Sequence, residues 1–221
     1  MSQSTLSLAE QLTLVAVDDT SGAVRGDNLD LGLSGALLVQ LALAGRIDVV
    51  DSSVVVTDPT PTGDPLPDEA LARIGADKPR KPDYWVSHLQ KGVRQQVLDR
   101  LVDAGVLERH DSKVLGLFPR HRYPERNAGP ETAVRARLDD AVLHGQAPDE
   151  TTSALVGLLH AVGLRAAAFP GAERKPTEAR MKLIAEGSWA SKAVRDAVAQ
   201  VQAAVTAGAM AATTAAVISS T

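Results

Sequence analysis

Residues 30–47 read DLGLSGALLVQLALAGRI, and this stretch decides the fold. Asp30 precedes a segment in which Leu33, Leu37, Leu38 and Leu41 recur at helical spacing, and Gly45 stands where a glycine after a helix is preferred. Immediately after it, β-branched runs at 47–50 and 54–57 flank the polar turn Asp51-Ser52-Ser53, which reads as a hairpin. The unit is a helix closed by glycine and followed by a small hairpin.

The unit recurs sixty positions on, where Leu41, Ala44, Gly45, Asp51, Ser52 and Val54 meet Leu101, Ala104, Gly105, Asp111, Ser112 and Val114. Here residues 89–104 are helical in pattern, Gly105 ends them, and apolar runs at 106–107 and 114–118 flank the turn His110-Asp111-Ser112-Lys113. Two copies are too few for a solenoid. A helix followed by a hairpin is also how a winged helix looks, so a winged-helix-like DNA-binding regulator is the alternative reading. That reading needs a basic recognition helix. Residues 33–44 carry no Lys or Arg, and the second copy offsets Lys91, Arg94 and Arg100 with Asp99 and Asp103. Few phosphates could be neutralised, and no nucleic-acid partner is expected.

Outside the repeated unit the pattern is almost wholly helical. Ser7 with Glu10 forms a capping-box pattern ahead of Leu8, Leu12 and Val15, predicting a first helix over 7–17. A turn-rich loop at 58–67 leads to a short helix at 68–74 and a polar connection through Pro79 and Pro82. After Pro124, helices are predicted over 131–144, 150–163, 176–186 and 192–218, the last with Val194, Val198, Val201, Val205 and Ala209 as its stripe and Gly208 as a candidate break. The fold class is mainly α: a helical bundle around a buried C-terminal helix, with small β-hairpins, in a single domain over residues 1–221.

Composition narrows the function classes. With 221 residues, 44% hydrophobic and 23% charged, the chain can bury a continuous core. The absence of cysteine excludes disulfides, thiolate metal sites and cysteine nucleophiles, and suits a cytoplasmic protein. A net charge of -4 makes any anion site a local feature. The stretch 1–7 lacks the basic and apolar regions of a secretory signal. The apolar run at 203–218 is interrupted by threonines and falls short of the ~20 residues of a spanning helix, so it reads as a buried helix.

No constellation looks catalytic. His88, His110, His121, His144 and His160 never fall in a metal-binding helical spacing, and His160 on an apolar helix reads as a core histidine. Ser21 and Ser34 lack a nucleophile-elbow context, and Gly26, Gly32 and Gly35 form no phosphate loop, leaving turn and packing roles. The expectation is a non-enzymatic protein with no cofactor and no metal. What stands out is a cation set: Lys91 and Arg94 lie one helical turn apart, and Arg120, His121 and Arg122 follow the apolar run ending at Phe118. An apolar tip beside basic residues suits a membrane interface rich in acidic lipid.

At these residues the chain resembles the Golgi phosphoprotein 3 family of phosphoinositide-binding peripheral membrane proteins. The resemblance rests on Gly32-Leu33-Ser34-Gly35, the helix end Leu41-Ala42-Leu43-Ala44-Gly45-Arg46-Ile47, Pro61-Thr62-Gly63-Asp64 with Asp68-Glu69-Ala70-Leu71, and Val93-Arg94 leading to Leu101-Val102-Asp103-Ala104-Gly105. It covers most of residues 5–205. It implies a pocket for the phosphate of phosphatidylinositol 4-phosphate, built in the family from one aromatic residue and three arginines. By the glycine motif, the aromatic position falls on Arg25, the first arginine on Ser34 and the other two on Lys91 and Arg94, of which only Arg94 is identical. The implied headgroup-binding set is therefore Arg25, Ser34, Lys91 and Arg94, with Ser34 a neutral donor.

The resemblance further implies a hairpin for membrane insertion and self-association over residues 108–124, with Val114, Leu115, Leu117 and Phe118 as apolar contacts. Burying three or four such side chains is worth about 1.5–3 kcal/mol each, which suits reversible attachment. The implied partners are an acidic phospholipid, the cytosolic tails of membrane proteins held by an adaptor, and a second copy of the chain. The implied location is cytoplasmic, peripheral at the cytosolic face of a membrane. High Ala and Val with sparse Lys and aromatics point to a bacterial member.

Overall fold

The capping box predicted at the first helix is present in the computed structural model, which describes residues 6–114, 118–187 and 192–218. The Ser7 hydroxyl accepts from the Glu10 amide at 3.2 Å, and the Glu10 carboxylate accepts from the Ser7 amide at 2.7 Å. Helix α1 (Leu8–Ala16) follows, then α2 (Leu29–Leu43), the hairpin β1 (Ile47–Val50) and β2 (Ser53–Val56), α3 (Pro65–Ala76), α4 (Pro82–His88) and α5 (Val93–Asp103). A second hairpin, β3 (His110–Val114) and β4 (Phe118–Arg122), precedes α6 (Gly129–Val142), α7 (Glu150–Ala161), α8 (Arg165–Ala168), α9 (Arg174–Ala185) and α10 (Lys192–Ile218). The fold is mainly α with two small antiparallel strand pairs, as the pattern predicts.

Helix α2 is enclosed almost all round, packing against α1, α3, α4, α5, α7 and α10. Helix α10 lays Val198, Val201, Val205 and Ala209 of its predicted stripe into the core against α2, α4 and α7, while the side chain of Val194 lies outside the described ones. Glycines allow the close approach. A Cβ built on Gly35 of α2 would lie 2.5 Å from Val205 of α10, and one on Gly208 of α10 would lie 3.0 Å from Leu31 of α2. Gly208 thus marks a helix contact, and α10 runs through it unbroken.

The repeated helix end is real. Gly45 and Gly105 both adopt positive φ, +67° and +70°, and the next amide in each copy returns to the matching carbonyl, Arg46 to Leu41 and Val106 to Leu101, both at 2.9 Å. The hairpins differ. The first closes on Asp51 and Ser52, both at positive φ, a tight two-residue turn. In the second, His110 through Lys113, predicted as the turn, are strand residues paired with Arg122 through Pro119, and the ladder extends to the Val114–Phe118 pair. The shift follows from β3 starting later after its glycine than β1 does, so the polar residues fall into the ladder.

Other boundaries move for local reasons. Of the helix predicted over 89–104 only Val93–Asp103 is helical, because Gly92 (φ +80°) breaks the chain before α5, and the stretch through Pro82 that reads as a polar connection forms α4, which Pro82 starts at a position where its missing N–H costs nothing. Lys91 therefore lies in the turn ahead of α5, not on its face. The short helix predicted over 68–74 begins at Pro65, capped by the Asp64 side chain. His160, predicted as a core residue, is exposed on the outer side of α7.

Candidate functional site

The starts of α2 and α5 meet. Arg94, in the first turn of α5, donates from Nε to Asp30 Oδ1 at 2.8 Å and from Nη2 to the Gly26 carbonyl at 3.4 Å. Neither helix start is capped by a side chain, Asn28 and Gly92 holding the cap positions. Two sets of first-turn amides and two positive dipole ends thus lie beside one guanidinium. This is anion-binding geometry, countered locally by Asp30.

The four predicted residues fall in different surroundings. Ser34 is fully buried in α2, and its hydroxyl donates to the Asp30 carbonyl at 2.9 Å. Arg25 immediately precedes Gly26, but its exposed guanidinium turns to Asp18. The Ser21 hydroxyl and amide, and then Arg25, hold the Asp18 carboxyl below the usual range. Lys91 is exposed and borders a shallow groove with Leu37, Leu66, Arg73 and Gln96. The backbone beside Arg25, the Ser34 anchor and the Arg94 side chain are thus brought together, while the Arg25 guanidinium pairs with Asp18 and Lys91 borders a separate groove.

Arg25 borders a cleft of about 120 Å³ with Asp18, Asp19 and Arg135. Its two arginines are matched there by two aspartates, Arg135 lying 3.6 Å from Asp19. The opposed charges leave its lining without net charge.

The Pro61-Thr62-Gly63-Asp64 segment proves to be a brace. Asp68 accepts from the Thr62 amide (2.6 Å), the Thr62 hydroxyl (2.7 Å) and the Gly63 amide (3.1 Å). Burial pushes the Asp68 carboxyl up, but these donors outweigh it and hold the group below the usual carboxylate range. Asp64 accepts from Arg100 of α5 at 2.6 Å, and Arg100 also reaches Glu10 of α1 at 2.9 Å. This clamp joins α1, α3 and α5 and so sets how α5 presents Arg94. Sequence reading missed Asp30, Arg100 and Glu10 in these roles, because each acts across a distance for which local spacing carries no signal.

Of the hairpin residues, Leu115 and Leu117 lie outside the described residues, and Val114 and Phe118 are placed as backbone partners at its end. Among the described residues, no helix is long and apolar enough to cross a membrane.

A model built for the Golgi phosphoprotein 3 (GPP34) family matches residues 8–201, from α1 into α10. The chain belongs to the Golgi phosphoprotein 3 family. The chain is also similar to vacuolar protein sorting-associated protein 74 of Eremothecium gossypii, with 29% identity over 160 residues, covering 61% of this chain and 48% of that protein. It spans about half the length of the curated relative it matches.

Proposed function

We propose that this family member is a non-enzymatic peripheral membrane protein that binds an acidic phospholipid headgroup, of the phosphatidylinositol 4-phosphate kind, where α2 and α5 begin. The observation that carries the reading is Arg94 bridging two helix starts that lack side-chain caps. A phosphate would replace Asp30 on Arg94 and draw on the first-turn amides. Arg25 would swing in from Asp18, an exchange eased by the solvent exposure of its guanidinium. Lys91 would supply a third cation, with Ser34 holding the α2 turn from beneath. The hairpin over residues 108–124 would add apolar membrane contact and a surface for a second copy. On this reading the protein acts as an adaptor for cytosolic tails of membrane proteins, at the cytosolic face of a membrane. We infer a bacterial source from its Ala- and Val-rich, aromatic-poor composition.

Liposome co-sedimentation tests the reading. Wild type should bind vesicles containing phosphatidylinositol 4-phosphate and leave neutral vesicles alone, and Lys91→Ala/Arg94→Ala should lose that binding. Equal binding to every acidic lipid would replace headgroup recognition with general electrostatic attraction, and binding to none would overturn the lipid reading.

A further inference from the structure

Glu131, in the first turn of α6, is only 3% exposed, and Arg135 one turn on bonds to its Oε1. Its other oxygen, Oε2, is buried with no hydrogen-bond donor, and so is Oε1 of Glu125. The two carboxyls lie within hydrogen-bonding reach of each other. Two ionised carboxylates cannot satisfy these oxygens, since each only accepts and burial penalises the charge. One retained proton converts both bare acceptors into a single O–H···O bond.

Glu125 belongs to the root of the second hairpin. It bridges Leu107, while the Glu108 amide donates to the Pro124 carbonyl and the Arg126 amide to the Val106 carbonyl, both at 2.9 Å. We propose that Glu125 and Glu131 share one proton, and that this proton latches the root of the hairpin to α6.

The surroundings fit a retained proton. Burial and the hydrogen bond to Glu125 push the Glu131 carboxyl up to about 8, against the downward pull of Arg135. Arg135 divides its donors among Glu131, the carbonyls of Ala167 and Ala168 beside α8, and Asp19 of the turn after α1. Arg137, on the same helix, turns instead to Gln11 of α1. Arg135 is the cation whose pull on Glu131 opposes its burial.

The sign of the pH response follows. The latched state holds a proton that the open state, with a carboxyl near its ordinary value, releases. The latch is fully stabilising below the ordinary glutamate range and is lost as pH rises through the folded value of about 8. Between these limits, opening should become about tenfold more favourable per pH unit, levelling off above the folded value.

Two measurements on the full chain decide the proposal without any lipid, so their outcome is independent of the headgroup reading. Carboxyl-carbon NMR titration of the wild type should show one group of the pair titrating near pH 8. Hydrogen exchange at the Glu108 and Arg126 amides, corrected for intrinsic base catalysis, should show the tenfold rise per unit, and Glu131→Gln, which keeps a donor without a titrating proton, should remove it. Ordinary titration of both carboxyls in the wild type would overturn the proposal even if the variant failed to fold, as would a Glu131→Gln protein that kept the wild-type pH dependence.

Discussion

Arg94 Nε lies 2.8 Å from Asp30 Oδ1, joining the first turns of two helices across 64 positions of sequence. The bond sets Asp30 in competition with any anion at the junction. Asp30→Asn should therefore raise affinity for vesicles carrying phosphatidylinositol 4-phosphate by about 5–10-fold, the equivalent of about 1–1.4 kcal/mol. Arg94→Lys should weaken it, because an ammonium cannot hold a phosphate through a planar fork. Vesicle-binding isotherms at fixed salt check both signs.

Arg100→Ala removes the cation shared by Glu10 and Asp64, leaving one buried and one largely buried carboxylate without it. The expected loss is about 2–3 kcal/mol, below the 3–5 kcal/mol of a fully enclosed pair, because Arg100 keeps 31% of its side-chain exposure. Urea unfolding should show a lower midpoint with an unchanged slope.

Gly35→Ala places a Cβ 2.5 Å from a Val205 methyl, and Val205 is branched and cannot bend away. Overpacking of about 1–3 kcal/mol outweighs a helix-propensity gain of about 1 kcal/mol, so the variant should be destabilised. Adding Val205→Ala relieves the clash, and Gly35→Ala should then cost less in that background than in the wild type. A double-mutant cycle of thermal midpoints measures the difference.

The brace at Asp68 should show itself in acid. Its carboxyl is held below the ordinary range, so its contribution is present above that range and is lost as pH falls through the lowered folded value. Thr62→Ala removes the hydroxyl donor, which weakens the brace by about 1 kcal/mol at neutral pH. Acid unfolding should then begin at higher pH than in the wild type.

Local chemistry carried the helix ends and little of what lies between helices. Ser7 with Glu10, and Gly45 with Gly105, were legible because a cap is a contract between residues a few positions apart. Lys91 reads as helical because apolar spacing continues through Gly92, whose left-handed conformation a pattern of hydrophobicity does not register. In the second hairpin, the polar run at 110–113 has turn chemistry but strand geometry, since pairing across the ladder decided its register. Arg94 stands out in the sequence through the family resemblance. Its counter-ion Asp30, the Arg25–Asp18 pair and the Arg100 clamp are not legible there, because they are created by tertiary packing.

The most direct test of the headgroup reading is an amide NMR titration of the protein with a short-chain, soluble phosphatidylinositol 4-phosphate, compared with the same lipid lacking the 4-phosphate. The account predicts shifts concentrated at Gly26, Asp30 and Arg94, saturating with the phosphorylated lipid and abolished by Arg94→Ala. Saturating shifts elsewhere that survive Arg94→Ala, or no shifts with either lipid, would contradict it.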